Sequence, residues 1–325
     1  MTTSKQVGKV YLVGAGPGHP QLLTLKAYEL ITTADILIYD RLIQEDVLAP
    51  ARPDVELIYV GKEPGRHQSM QADINTILVD AAHRASLVVR LKGGDPILFG
   101  RGGEEAEALA AQGIPFEVVP GVTAGLSVPM AASIPVTHRD CSHNVALVTG
   151  HRRGDRATDE PDWEALARMD TLVFFMSVGK LPHIAQMLVK HGLKPETPAA
   201  VIQQAYWPGE ELVVGTLAEL PELARKAGIK PPATIVVGEV VSLRDRLSTH
   251  QRDLRRGPDE KVGFGMSAET LMRRVSGGLR VAKDLMAAVR LDLFADLETA
   301  TSPEELALKR RLSKESLALV LARLA

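Results

Sequence analysis

Apolar residues along this chain follow two interleaved rhythms. Short β-branched runs occupy residues 10–13, 36–39, 56–60, 87–91 and 116–119. Such runs predict strands, and those at 10–13 and 87–91 look buried. Between them, apolar positions recur at helical spacing over 22–32, 71–84 and 104–112. This alternation of strand and helix predicts parallel βαβ units. A similar stretch follows, with strand-like runs at 145–148, 171–175, 199–202 and 234–237 and helical patterns at 163–168 and 181–191. Pro182 near the start of the last helix and Gly192 just past its end suit the asymmetry of helix termini.

These rhythms divide the chain into an N-terminal α/β domain, 1–139, and a second α/β domain, 140–248, hinged around Pro135-Val136-Thr137-His138-Arg139. Residues 249–266 turn polar and charged, the composition of a linker. Over 267–325, Leu271, Met272, Val275, Leu279, Ala282, Leu285, Met286 and Val289 return at helical spacing, and Ser302-Pro303-Glu304-Glu305 reads as a capping box opening a last helix. The role of this helical extension stays open.

Composition narrows the partners. The formal charge is −2, so no global field draws in a polyanion, and aromatic content of 4% leaves few stacking platforms for nucleic acid. Cys141 is the only cysteine, which excludes an internal disulfide and suits a reducing compartment. Residues 1–9 lack an apolar signal-type stretch, and no uncharged apolar segment is long enough to span a bilayer. A cytoplasmic protein without membrane or nucleic-acid partners is expected.

Candidate chemistry concentrates where predicted strands end. Gly14-Ala15-Gly16-Pro17-Gly18 follows the first strand. It fails the dinucleotide fingerprint, because the third glycine position is His19 and Pro17 interrupts the helix start. Lys92-Gly93-Gly94-Asp95-Pro96 and Phe99-Gly100-Arg101-Gly102-Gly103 follow the fourth strand. There glycines admit a ligand close to the backbone, and Asp95 either meets its ammonium or hydroxyl groups or makes an Asp-Pro turn. In Pro120-Gly121-Val122-Thr123-Ala124-Gly125, Thr123 reads first as a helix cap. Asp40-Arg41 and Lys62 also follow strands, facing the usual cleft of an α/β sheet. Arg41, Lys92 and Arg101, with the basic residues of 137–140 and 149–153, form a candidate patch for an anionic substrate. The spacing of His138, Cys141, His143 and His151 matches no zinc pattern, so no metal is expected.

Taken together, these motifs resemble the tetrapyrrole methyltransferase superfamily, and within it the members that methylate uroporphyrinogen III on carbon. The likeness rests on Val13 to Gly18, Tyr39-Asp40-Arg41-Leu42, Val60-Gly61-Lys62, Val89 to Pro96, Phe99-Gly100-Arg101-Gly102, Val119 to Ala124, Pro135 to Arg139 and Thr149-Gly150-His151. It covers residues 9–247, and nothing beyond them resembles the family. It implies a homodimer whose two α/β domains bind folded S-adenosyl-L-methionine in the cleft between them and release S-adenosyl-L-homocysteine. By resemblance, Pro17, Gly93, Gly94, Asp95, Leu98, Thr123, Ala124, Met176, Ala205 and Ala233 contact the cofactor. Asp40 matches a proton acceptor and Lys62 a proton donor. The substrate carries eight carboxylates, which gives Arg41, Lys92, Arg101, His138, Arg139 and Arg152 a purpose as its ligands. Methylation at C2 and C7 would yield precorrin-2, the branch step toward sirohaem, cobalamin or haem d1. The chain departs from its relatives at Gln203-Gln204-Ala205-Tyr206-Trp207, where a small Gly-Thr type sequence is frequent. The rivals are an rRNA methyltransferase, which predicts RNA-stimulated turnover, and a sensor that binds cofactor without turnover.

Overall fold

The computed structural model describes residues 7–61, 71–150 and 160–248. Two five-stranded sheets lie within one compact unit, Met1–Asp253. The predicted linker, 249–266, and the predicted helical extension, 267–325, fall outside the described residues.

The first sheet contains β1 (Lys9–Gly14), β2 (Ile36–Tyr39), β3 (Glu56–Tyr59), β4 (Leu87–Lys92) and β5 (Phe116–Val119), in the order β3-β2-β4-β1-β5. All its pairings are parallel. Its helices are α1 (Leu25–Thr33), α2 (Glu45–Leu48), α3 (Gln71–Arg84) and α4 (Gly102–Ala111). Thr24 caps α1 by accepting from Ala27 N at 3.1 Å. Side chains alternate across the sheet. Val13, Leu37, Val89 and Leu91 pack with Leu30 and Ile31 of α1 on one face, while Val10, Leu12, Ile36 and Val88 pack with Leu78 of α3 and Leu109 of α4 on the other. The chain therefore leaves β1 for one face and β4 for the opposite face. These two strands are neighbours, so a crevice opens between their carboxyl ends, the position where open α/β sheets bind ligands.

The second sheet contains β6 (Val145–Thr149), β7 (Thr171–Phe175), β8 (Pro198–Gln203), β9 (Glu211–Thr216) and β10 (Ala233–Val237), in the order β6-β7-β10-β8-β9. The sequence pattern predicts a repeat of the first sheet. Only β6 and β7 are parallel, however, and every other pairing is antiparallel. The difference arises because β8 and β9 form a hairpin and β10 inserts between β7 and β8. Helices α6 (Trp163–Ala167), α7 (Leu181–Lys190) and α8 (Leu220–Lys226) cover one face of this sheet, and α9 (Arg244–Ser248) closes the described chain.

The other face is covered by α5 (Ala124–Ala131), through Val128 with Ala132 and Ile134 against Val173, Ala200, Ile202 and Val236. This moves the boundary between the two cores. The chain changes core at the entrance to α5, about fifteen residues before the break expected at 139. A helix follows the apolar surface it buries, and its place in sequence does not decide which sheet supplies that surface.

Candidate functional site

Three loops leave the carboxyl ends of β1, β4 and β5 and meet backbone to backbone. Gly16 and Gly94 exchange hydrogen bonds, with Gly94 N donating to Gly16 O at 2.7 Å and Gly16 N to Gly94 O at 3.1 Å. A Cβ on Gly14 would lie 2.5 Å from Gly121 N and 2.6 Å from Gly94 O. A Cβ on Gly121 would overlap the same Gly94 carbonyl. Only glycine permits this junction. It places Gly94 against the α5 entrance, where an added Cβ would be 3.4 Å from Ala124 N.

Asp95 laces two of these loops together. Its Oδ1 accepts from Ile97 N at 2.9 Å and Leu98 N at 3.0 Å, and its Oδ2 accepts from Gly121 N at 3.3 Å. The Asp-Pro turn expected of Asp95 is thus formed, and the same carboxylate also reaches the loop after β5. Thr123 caps α5 through Oγ1, which accepts from Gly125 N at 3.3 Å. Gly93 lies beside Leu42, two residues after Asp40.

The second sheet presents one end to these loops. Strands β6, β7 and β8 run in a common direction, opposite to β10, so the carboxyl ends of the three and the start of β10 lie together. That end carries Met176, Ala205 and Ala233, the last paired in register with Gln203. Two contacts tie it to the first sheet. Phe99 packs edge-on against Phe175 with ring centroids 5.2 Å apart, and Trp207 Nε1 donates to Pro17 O at 3.0 Å. Phe99, Arg101, Met176, Gln204 and Tyr206 all take φ between +49° and +68°, on loops after β4, β7 and β8. Such clustering of strained backbone marks segments whose conformation the surroundings impose. Met176 is 49% exposed here, while Ala205 is buried. The loops that carry Pro17, Gly93, Gly94, Asp95, Leu98, Thr123 and Ala124 thus lie at the end of the first sheet that faces the end of the second sheet carrying Met176, Ala205 and Ala233.

Asp40 stands at the end of β2, 25% exposed. Its Oδ1 accepts from Leu42 N at 3.0 Å and its Oδ2 from Arg90 Nη2 at 3.1 Å. Arg90 is itself buried on β4, donating from Nη1 to Leu91 O at 2.7 Å and from Nε to Glu105 Oε1 at 3.3 Å. Lys92 Nζ donates to the same Oε1 at 2.9 Å. Alternation along β4 puts Val88, Arg90 and Lys92 on one face, and that face looks onto α4, which carries Glu105. A buried chain of charges therefore runs from Asp40 through Arg90 and Glu105 to Lys92.

This geometry corrects one expectation and qualifies another. Lys92, read as a substrate ligand, is buried beneath the cleft with its ammonium on Glu105. Burial foremost, and then Arg90, pull its pKa below the ordinary lysine value against the pull of Glu105. Arg101 is exposed but forked onto Glu104, with Nε to Oε2 at 2.7 Å. Arg41 and Arg139 are exposed. His138 turns back on its own loop, its Nδ1 accepting from Asp140 N at 3.2 Å. Lys62 and Arg152 lie outside the described residues. Among the described residues, no three His, Cys, Asp or Glu side chains converge as a metal site would need.

Sequence reasoning missed Arg90, Glu105 and Trp207. Two cations spaced i, i+2 inside a buried strand were a signal for the first pair, since each demands a buried anion. Trp207 had no such signal.

Residues 9–221 match the family model of the Tetrapyrrole (Corrin/Porphyrin) Methylases. Siroheme synthase of Thiobacillus denitrificans is 49% identical over 245 residues, covering 75% of this chain and 51% of that protein. The chain thus spans about half the length of the siroheme synthases it matches. Uroporphyrinogen-III C-methyltransferase of Priestia megaterium is 48% identical over 237 residues, 73% of this chain and 99% of that protein. A crystal structure of uroporphyrin-III C-methyl transferase from Thermus thermophilus, complexed with S-adenyl homocysteine, superposes with a TM-score of 0.63 at 45% identity, covering 73% of this chain and all of that one.

Proposed function

This chain belongs to the tetrapyrrole (corrin/porphyrin) methylase family, and from that footing we propose that it methylates uroporphyrinogen III at C2 and C7, giving precorrin-2. The observation that carries the reading is the match to the Priestia megaterium uroporphyrinogen-III C-methyltransferase along 99% of that enzyme's length. The cleft fits the cofactor such chemistry needs. Gly93, Gly94, Ala124 and Ala205 carry little or no side chain where the loops converge, and Gly94 takes φ +69°, a conformation that favours glycine. Pro17, Asp95, Leu98, Thr123, Met176 and Ala233 complete the proposed cofactor-contacting set. When bound, S-adenosylmethionine supplies an electrophilic methyl group.

The residues of the chain then have three tasks. The glycine junction and the facing end of the second sheet hold two reactants in line, so that the entropy of bringing them together is lost on binding and not in the transfer step. Arg41, Arg101, His138, Arg139 and Arg152 bind substrate carboxylates, Arg101 by exchanging its exposed pairing with Glu104. Asp40 accepts the proton the macrocycle loses when a methyl group is added, and Arg90 holds that carboxylate at a fixed angle. Lys62 is proposed as the proton donor. A homodimer is supported by the exposed apolar residues Leu126 and Met130 on α5 and Val122 just before it. The lone Cys141 supports a cytoplasmic site.

Incubation of the purified chain with S-adenosylmethionine and uroporphyrinogen III should give a product heavier by two methyl groups, with two equivalents of S-adenosylhomocysteine. Cofactor consumption with RNA but not with the porphyrinogen overturns the assignment.

A further inference from the structure

We propose that Trp207 is a positioning residue that latches the first glycine loop shut over the cofactor. The inference rests on the methyltransferase reading above and extends it to a residue outside the expected site. Trp207 belongs to the β8–β9 connection, on the second sheet, yet its indole Nε1 donates to Pro17 O, 190 positions earlier in the chain, at 3.0 Å. The indole lies flush on Gly18, where a Cβ would fall 2.7 Å from Trp207 Cδ1. Gly18 has φ +121°, a backbone conformation that side chains oppose, so glycine there both permits the turn and seats the ring.

The latch is stiff at its base. Gln204 and Tyr206 flank the buried Ala205 with φ of +49° and +68°. Trp207 N donates to Gln204 O at 2.9 Å, Tyr206 N to Glu210 Oε2 at 3.1 Å and Tyr206 Oη to Ser127 O at 2.9 Å. Tyr206 thereby anchors the connection to α5, whose first turn abuts Gly94. The other end of the glycine loop is fixed independently by the paired hydrogen bonds between Gly16 and Gly94. Release of Trp207 therefore frees Pro17 and Gly18 alone and leaves the junction beneath them, and with it Asp40, in place. The consequence is selective: cofactor retention weakens while the chemical step is preserved.

The test uses the full chain as wild type, Trp207→Phe and Trp207→Ala, with calorimetric titration of S-adenosylhomocysteine and steady-state kinetics in S-adenosylmethionine. Trp207→Phe keeps the ring and removes the donor. It should raise the dissociation constant and the cofactor KM about 3- to 10-fold, as loss of one neutral hydrogen bond does, with kcat within about 2-fold of wild type. Trp207→Ala should go further in the same direction. In a Trp163→Phe background, Trp207 is the remaining tryptophan, and its emission should shift on titration with S-adenosylhomocysteine. Unchanged affinity in Trp207→Phe, or a fall in kcat at constant KM, overturns the latch. Should Trp207→Ala fail to fold, Trp207→Phe and the emission shift still decide. If wild type itself binds no S-adenosylhomocysteine, it is the methyltransferase reading that falls.

Discussion

Replacing Glu105 by alanine removes the carboxylate that Lys92 and Arg90 share. Glu105 is fully buried, and the side chains of Arg90 and Lys92 are 3% and 6% exposed. After the change Arg90 keeps Asp40 at 3.1 Å, but among the described residues Lys92 has no other anion within ion-pairing distance. Removing one member of a buried ion pair costs about 3–5 kcal/mol, because the partner is left charged without water. For a folding unit of this size that is a fall in melting temperature of roughly 6–20 °C. Glu105 Oε2 already lacks a partner among the described residues, so part of the carboxylate's own desolvation is relieved, which places the expected loss toward the lower end. The control is Glu56→Ala, which breaks the exposed Arg84–Glu56 fork at 2.9 Å and should cost no more than about 1 kcal/mol. Urea and thermal melts of both variants decide the matter. If Glu105→Ala melts with Glu56→Ala, the buried charges are not coupled as described and the argument fails.

Gly121→Ala places a methyl group against the Gly94 carbonyl and Gly14; overpacking at such a point costs about 1–3 kcal/mol or more, and S-adenosylhomocysteine titration should show weakened binding in the protein that remains folded. Lys92 gives a pH dependence. Its folded pKa lies below its ordinary value, so between the two values the unfolded chain holds more protons and stability rises with pH, by up to about 1.4 kcal/mol per pH unit. Melts from neutral pH to 10 should show this rise, and in Glu105→Gln, where the group that raises the Lys92 pKa is gone, the rise should begin at lower pH. Asp40→Asn should slow methyl transfer far more than it weakens S-adenosylhomocysteine binding; equal losses in both would make Asp40 a structural residue.

The central strands β1, β2 and β4 of the first sheet were legible because they are largely buried and so appear as mainly apolar runs, while the exposed edge strands β3 and β5 were legible from their β-branched and aromatic residues. The run at 36–39 is β2 itself, and the helical spacing at 71–84 is α3. β9 went unread, since its residues are only partly buried and Glu211, Gly215 and Thr216 blur any alternation. The short helix α8 went unread for a similar reason, opening at Leu220-Pro221 with few apolar positions to set a period. In the site, glycine loops after strands were visible because close backbone approach demands glycine wherever it occurs. Lys92 was misplaced because a charged residue at a strand end looks the same whether it faces the cleft or a buried carboxylate on α4.

The linear pattern by itself determined which segments are strands and helices over most of the described chain, where backbone crowding requires glycine, and which carboxylate ends β2. Those are local properties, set by burial period and by the conformations each residue permits. Tertiary structure alone decided that β8, β9 and β10 run antiparallel, that α5 buries its apolar face on the second sheet, that Glu105 meets Lys92 and Arg90, and that Trp207 reaches Pro17. Each of these depends on which surfaces meet in three dimensions, and such pairings, whether 13 residues apart (Lys92 and Glu105) or 190 (Pro17 and Trp207), leave no periodic trace along the chain.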